Sequence, residues 1–195
     1  MEGFNPRLLK EEPPPPFAVQ CQKCELSNHR ERVIWGEGNP SAKIFILLDN
    51  PGMREDAEGN PFVCGTRETL QRGILDAGME LDNVYISYLL KCRPKRAYNK
   101  PLARDACFSH FQHQLAEKNP RLLLGLGNTV VETLFPHSDA DVKSLRGRWH
   151  IFEDIPVAFS YHPLAIRRRP VLHKYFIEDL KLLAQEALKY GLIEN

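Results

Sequence analysis

Four cysteines of this 195-residue sequence are spaced as metal ligands. Cys21 and Cys24 form a CxxC, which brings two thiolates within reach of one metal centre, and Cys92 and Cys107 offer two more. Spacing alone suits structural zinc and an iron–sulfur cluster equally, and simple buried thiols are a third reading. A thioredoxin-like pair needs its CxxC to open a helix after a strand, and no strand pattern precedes Cys21. Cys64, next to Phe62 and Val63, reads as a small packed residue. A second set of residues suits acid–base and electrostatic work: Asp49-Asn50-Pro51-Gly52, Lys91-Cys92-Arg93-Pro94 and Tyr161-His162-Pro163.

Each of those three segments directly follows a short apolar run. Residues 43–48, 84–90, 121–126 and 156–160 are rich in branched and aromatic side chains, the mark of strands buried on both faces. Helical patterns at 67–77, 103–117, 128–135 and about 172–190 alternate with them. This order predicts a doubly wound, three-layer α/β/α fold around a mostly parallel four-stranded sheet. Ligands of such sheets bind beyond the carboxyl ends of the strands, where the three segments converge.

The length supports one domain, 21–195, preceded by an arm at 1–20 whose run Pro13–Pro16 predicts extended chain. No stretch approaches the roughly 20 apolar residues that span a bilayer, and no signal peptide is apparent. A soluble, cytoplasmic protein with reduced thiols is therefore expected. The net charge of +1 gives no global footprint for nucleic acid. Local basic patches do exist, one of Lys91, Arg93, Lys95, Arg96, Lys100 and Arg104, the other of Arg167, Arg168, Arg169 and Lys174. Each follows a strand end that carries the candidate chemistry, which favours nucleic acid as the partner over idle solvation.

From Cys21 to about Leu183 the sequence resembles the family 4 uracil-DNA glycosylases, the iron–sulfur branch of the uracil-DNA glycosylase superfamily. The resemblance rests on CQKCEL, Gly36-Glu37-Gly38, Pro51-Gly52 with Glu55-Asp56 and Pro61-Phe62-Val63, KCRP, Cys107, LGLGNT, LRGRWH and Tyr161-His162-Pro163, all in the family's order. It implies a [4Fe-4S] cluster on Cys21, Cys24, Cys92 and Cys107. It implies a DNA repair enzyme that flips out uracil or another deaminated base, hydrolyses its N-glycosidic bond and leaves an abasic site. His162 is then the donor to the base's carbonyl, Asp49 the acid that positions water, Phe62 the stacking partner and Glu55 the group crowding the pyrimidine's C5 edge. Leu164 and Ile166 suit a wedge into the base stack, and Arg146, Arg148, Arg167, Arg168 and Arg169 suit phosphates. A monomer would suit the family.

The sequence departs from the family pattern in two places. Leu48-Asp49-Asn50 stands where the family has a glycine, a glutamate and a small residue, so the acid is one methylene shorter. Tyr88 stands where the family has an asparagine that reads uracil's edge, and a phenol cannot reproduce that amide's donor–acceptor pair. Asn50 offers a substitute amide, and hypoxanthine or another deaminated base becomes a candidate. The competing reading is a non-catalytic iron–sulfur relative that binds DNA with a decayed pocket.

Overall fold

The computed structural model describes residues 4–57, 63–136 and 138–194. In chain order the elements are β1 (Glu11–Glu12), α1 (Pro16–Val19), β2 (Gly36–Gly38), β3 (Ile44–Leu48), α2 (Met53–Asp56), α3 (Gly65–Asp76), β4 (Val84–Tyr88), α4 (Lys100–Lys118), β5 (Leu122–Leu126), α5 (Asn128–Leu134), α6 (Val142–Leu145), β6 (His150–Phe152), β7 (Ile155–Ser160), α7 (Pro163–Arg168) and α8 (His173–Lys189). The four strands expected from the sequence are the parallel centre of the sheet, in the order β4-β3-β5-β7. Three short strands, unmarked by apolar runs, extend it antiparallel at its edges: β2 and then β1 beyond β4, and β6 beyond β7. The sheet is therefore mixed and seven-stranded among the described residues.

Side chains alternate across each strand, so even and odd positions enter different cores. Ile44, Ile46, Val84, Ile86, Leu122 and Leu124 pack with Leu70 and Ile74 of α3 and with Phe176, Leu180 and Leu183 of α8. Phe45, Leu47, Tyr85, Leu123, Val157 and Phe159 face Phe111 and Leu115 of α4 and Val130, Val131 and Leu134 of α5. These are the two outer layers of the expected sandwich. A smaller cluster of Ala18, Leu26, Val33, Trp35, Leu90 and Ala103 gathers around Cys92 and Cys107.

The N-terminal arm is more ordered than its prolines suggest. Pro16 opens α1, where a missing N–H costs nothing. Leu9 is buried, and the Arg7 backbone exchanges hydrogen bonds of 2.8 and 2.6 Å with the Gln71 side chain. Glu12 enters the protein, where Tyr85 Oη donates to it at 2.5 Å and the buried Lys118 ammonium does likewise. Burial, with Glu12 next, pushes the Tyr85 phenol up, so it remains a donor. No helix among the described residues is long and apolar enough to cross a membrane. Glu12→Ala leaves the buried Lys118 and Tyr85 groups short of an acceptor and is expected to destabilise the fold by about 1–3 kcal/mol in chemical denaturation.

Candidate active site

The chain passes from β3 to β4 on one side and then to β5 on the other side of β3. The strand order therefore reverses between β3 and β5, and a crevice opens at their carboxyl ends. A cavity of about 780 Å³ occupies it. Asp49 and Asn50 enter it from the end of β3, Tyr88 from β4, Gly127 and Asn128 from β5, and Tyr161 and His162 from β7.

His162 caps α7: its Nδ1 accepts the Leu164 N–H at 3.1 Å. A neutral imidazole held this way carries its proton on Nε2. That nitrogen is buried, 3.2 Å from Asp49 Oδ1, but is not aligned for a full hydrogen bond. Burial tends to raise the Asp49 carboxyl; the His162 contact and the Asn50 backbone N–H, at 2.7 Å, outweigh it, and the net shift is downward. Gly127 makes the approach of His162 possible. Its φ of 96° disfavours other residues, and a Cβ there would lie 3.1 Å from that of His162.

Glu55, on α2, is buried at the wall of the cavity, where Cys64 Sγ donates to its Oε1 at 2.8 Å. Burial, reinforced by that bond, pushes the Cys64 thiol up to about 11, so it stays protonated. Tyr88 is 4% exposed, and burial, then Glu55, holds its phenol well above the usual range. The adjacent Asp56 is fully buried and turns the other way. Its Oδ1 accepts the backbone N–H groups of Glu31 and Arg32 at 2.9 and 3.4 Å, while Lys95 lies 3.5 Å from Oδ2.

Cys21, Cys24, Cys92 and Cys107 line a second, smaller cavity together with Lys23, Arg30, Lys91 and His110. Arg30 Nη1 donates to Cys92 Sγ at 3.3 Å, and His110 Nε2 lies 3.3 Å from Cys21 Sγ. Among the described residues, no three His, Cys, Asp or Glu side chains close to the spacing of a single ion. None of the five cysteines is joined in a disulfide.

Residues 35–184 match the family model of the uracil DNA glycosylase superfamily. This chain belongs to the uracil-DNA glycosylase superfamily. It is 33% identical over 180 residues to a type-4 uracil-DNA glycosylase of Saccharolobus solfataricus, covering 87% of this chain and 82% of that protein. The type-4 enzyme of Sulfurisphaera tokodaii is 31% identical over 181 residues, covering 87% and 81%, and that of Thermotoga maritima is 27% identical over 166 residues, covering 83% and 86%.

Within this superfamily fold, the pocket gathers Asp49, Asn50, Glu55, Tyr88, Leu164, His162, Arg168 and Arg169 as the motifs suggested. Phe62 lies outside the described residues. Asn50 Nδ2 donates to Pro51 O at 3.0 Å, so its amide is partly engaged by its own loop. Leu164 is 40% exposed at the rim, whereas Ile166 is 4% exposed in the core and is not a wedge: on the helix α7 it turns inward. Arg146 also departs from expectation. Its guanidinium points inward, with Nε and Nη2 donating to Asp179 at 3.0 and 2.8 Å and Nη2 also donating to Tyr175 O and Glu178. Arg148 is exposed and donates to Ser144 O, and Arg167 lies across Gly65, where a Cβ would collide with it. Lys91 is buried and bonded to Ser87, Tyr88 O and Gln114, and burial brings it down to about 7, so it does not belong to a surface patch.

Sequence reasoning missed Cys64, whose partner Glu55 is nine positions away, and Asp179, which accepts from both Arg146 and the buried Ser160 at 2.6 Å. The Ser160 bond anchors the end of β7 just before His162. Asp179→Ala removes two of the bonds of Arg146 and the acceptor of the buried Ser160 hydroxyl, and is expected to cost about 1–3 kcal/mol in thermal or urea unfolding. The downward shift at Asp49 has a defined sign. Its contribution to stability is present above the unfolded carboxyl value of about 3.9 and is lost as pH falls through the lower folded value. The stability difference between native protein and Asp49→Asn should therefore shrink as pH falls below the unfolded carboxyl value, as measured by denaturation at graded pH.

Proposed function

We propose that this chain is a monofunctional DNA glycosylase that takes a flipped-out uracil or other deaminated base into the cavity at the β3/β5 crevice and hydrolyses its N-glycosidic bond. The observation that carries this is the facing pair Asp49 and His162 at that crevice, in a chain of the uracil-DNA glycosylase superfamily. Its relatives' names specify uracil. Extrusion of the base costs a few kcal/mol in lost stacking. The exposed Leu164 at the rim, with Arg168 and Arg169 beside it, suits the gap left in the stack and its phosphates.

Breaking the bond sends its electron pair to the base and leaves positive charge on the sugar. The Nε2–H of His162 donates to the base carbonyl, where negative charge collects, once that oxygen replaces Asp49 as its neighbour. The carboxylate of Asp49, ionised at neutral pH, faces the cationic sugar and orients the water. The water oxygen bonds to the sugar's anomeric carbon, its proton passes to Asp49 and thence to solvent, and the departing base anion takes up a proton. No strand is cut.

The same reading assigns Cys21, Cys24, Cys92 and Cys107 to a [4Fe-4S] cluster. The donor set fits: four thiols line one cavity, and Lys23 and Arg30 beside them offset the charge of thiolates. Hydrolysis transfers no electrons, and the cluster's contribution is to hold the segment after Cys21 against α4.

Protein purified without oxygen should contain iron and sulfide and release free base from oligonucleotides carrying uracil, hypoxanthine or xanthine. His162→Ala is expected to lower single-turnover release by about 10²–10³-fold, the usual cost of losing one donor to a developing oxyanion. Cys92→Ser should lose iron and the visible absorption together. If native, cluster-loaded protein releases none of the three bases, the catalytic reading fails, and a DNA-binding relative altered at Asp49 and Tyr88 takes its place.

A further inference from the structure

We propose that Gly52 and Cys64 are positioning residues that clamp the Glu55 carboxylate at the wall of the base cavity and so set which bases the cavity admits. The proposal rests on the reading of this cavity as a base pocket. Glu55 sits on a helix of four residues, which by itself does little to restrain a flexible side chain. Two contacts and the room left at a glycine set its position instead. Its backbone carbonyl accepts Arg32 Nε and Nη2 at 3.1 and 2.7 Å, fixing the helix. Its Oε1 receives the Cys64 thiol at 2.8 Å. Its Oε2 fills the space beside Gly52, where a Cβ would come within 2.7 Å of it.

Gly52 and Cys64 approach Glu55 from opposite sides in sequence, so the two constraints are independent. Gly52 has a φ of −86°, which alanine adopts without strain, and the atom that an added methyl meets is the free end of a side chain. Gly52→Ala therefore displaces the carboxylate rather than the backbone. Cys64 keeps its proton at neutral pH, since burial and Glu55 both favour the thiol. A carboxylate held this way presents a desolvated charge that rejects an apolar substituent on the adjacent edge of a base. Released from the clamp, it can turn toward water, and the wall softens.

Two measurements on the cluster-loaded protein test this. The S–H stretching band of Cys64, isolated as the infrared difference between native protein and Cys64→Ser, should lie at the frequency of a strongly hydrogen-bonded thiol and move upward in Glu55→Gln. The ratio of uracil to thymine release should fall about tenfold or more in Cys64→Ala, as expected for losing a hydrogen bond to a charged acceptor, fall in Gly52→Ala through displacement of the carboxylate, and recover in Cys64→Ser. A band unmoved by Glu55→Gln overturns the clamp; a band that moves with the ratio unchanged overturns its role in selection. If native protein releases no base, the glycosylase reading fails while the infrared result still decides the clamp.

Discussion

Burial of the four parallel strands on both faces constrains everything else in this molecule. Every residue of β3, β4 and β5 is shielded, so none of their side chains is free to meet a large ligand until the strand ends. The two crossovers lie on opposite faces of the sheet, α3 between β3 and β4 and α4 between β4 and β5, and the strand ends flanking that reversal line the cavity. Asp49 is the first residue past β3, Gly127 the first past β5 and His162 the second past β7. Reactive groups far apart in sequence thus meet without any loop long enough to need its own core. The missing side chain at Gly127 sets how near the imidazole comes.

Burying charge on both sides of the short helix α2 joins the two cavities. Neighbouring residues on one turn point apart: Glu55 to the base cavity, and Asp56 to the backbone of the segment that follows the CxxC. A fully buried carboxylate demands donors, and Asp56 finds them in the N–H groups of Glu31 and Arg32 and in the Lys95 ammonium nearby. Lys91 acts likewise from the segment after β4, lining the cysteine cavity while donating to the Tyr88 carbonyl at 2.6 Å. Whatever orders the four cysteines therefore also orders the pocket wall, through hydrogen bonds that a displaced loop would leave unmet.

The parallel strands were legible because double-sided burial writes continuous apolar runs, and so were the strand-end residues, which follow directly once the runs are found. The edge strands were not: Glu11–Glu12 and Gly36–Gly38 carry no apolar signal and exist because a neighbouring backbone needs partners. Ile166 was misread because a helical turn after Pro163 brings every third residue inward, a period hidden beside three arginines. Arg146 and Lys91 were read as surface charges because key acceptors, Asp179 in one case and Gln114 in the other, lie on distant elements. Local patterns report periodicity and turn chemistry; they do not report which buried acid a lysine or arginine will meet.

On the proposed reading of the cavity as a base pocket, Tyr88 marks a change in the means of recognition. It pairs in register with Leu48 at the top of the sheet, so both changed positions adjoin at the same wall. The phenol is buried and kept neutral, and it offers one hydroxyl where an amide offers a donor and an acceptor. A single hydroxyl reads one atom of a base and leaves its neighbour unspecified. In that reading the remaining discrimination falls to rigidly held groups, and the one we propose at this wall is the Glu55 carboxylate, whose carbonyl accepts Arg32 and whose Oε1 accepts the Cys64 thiol. Recognition thereby shifts from a paired hydrogen bond toward the shape and charge of the wall, for which rigidity matters more than the number of donors.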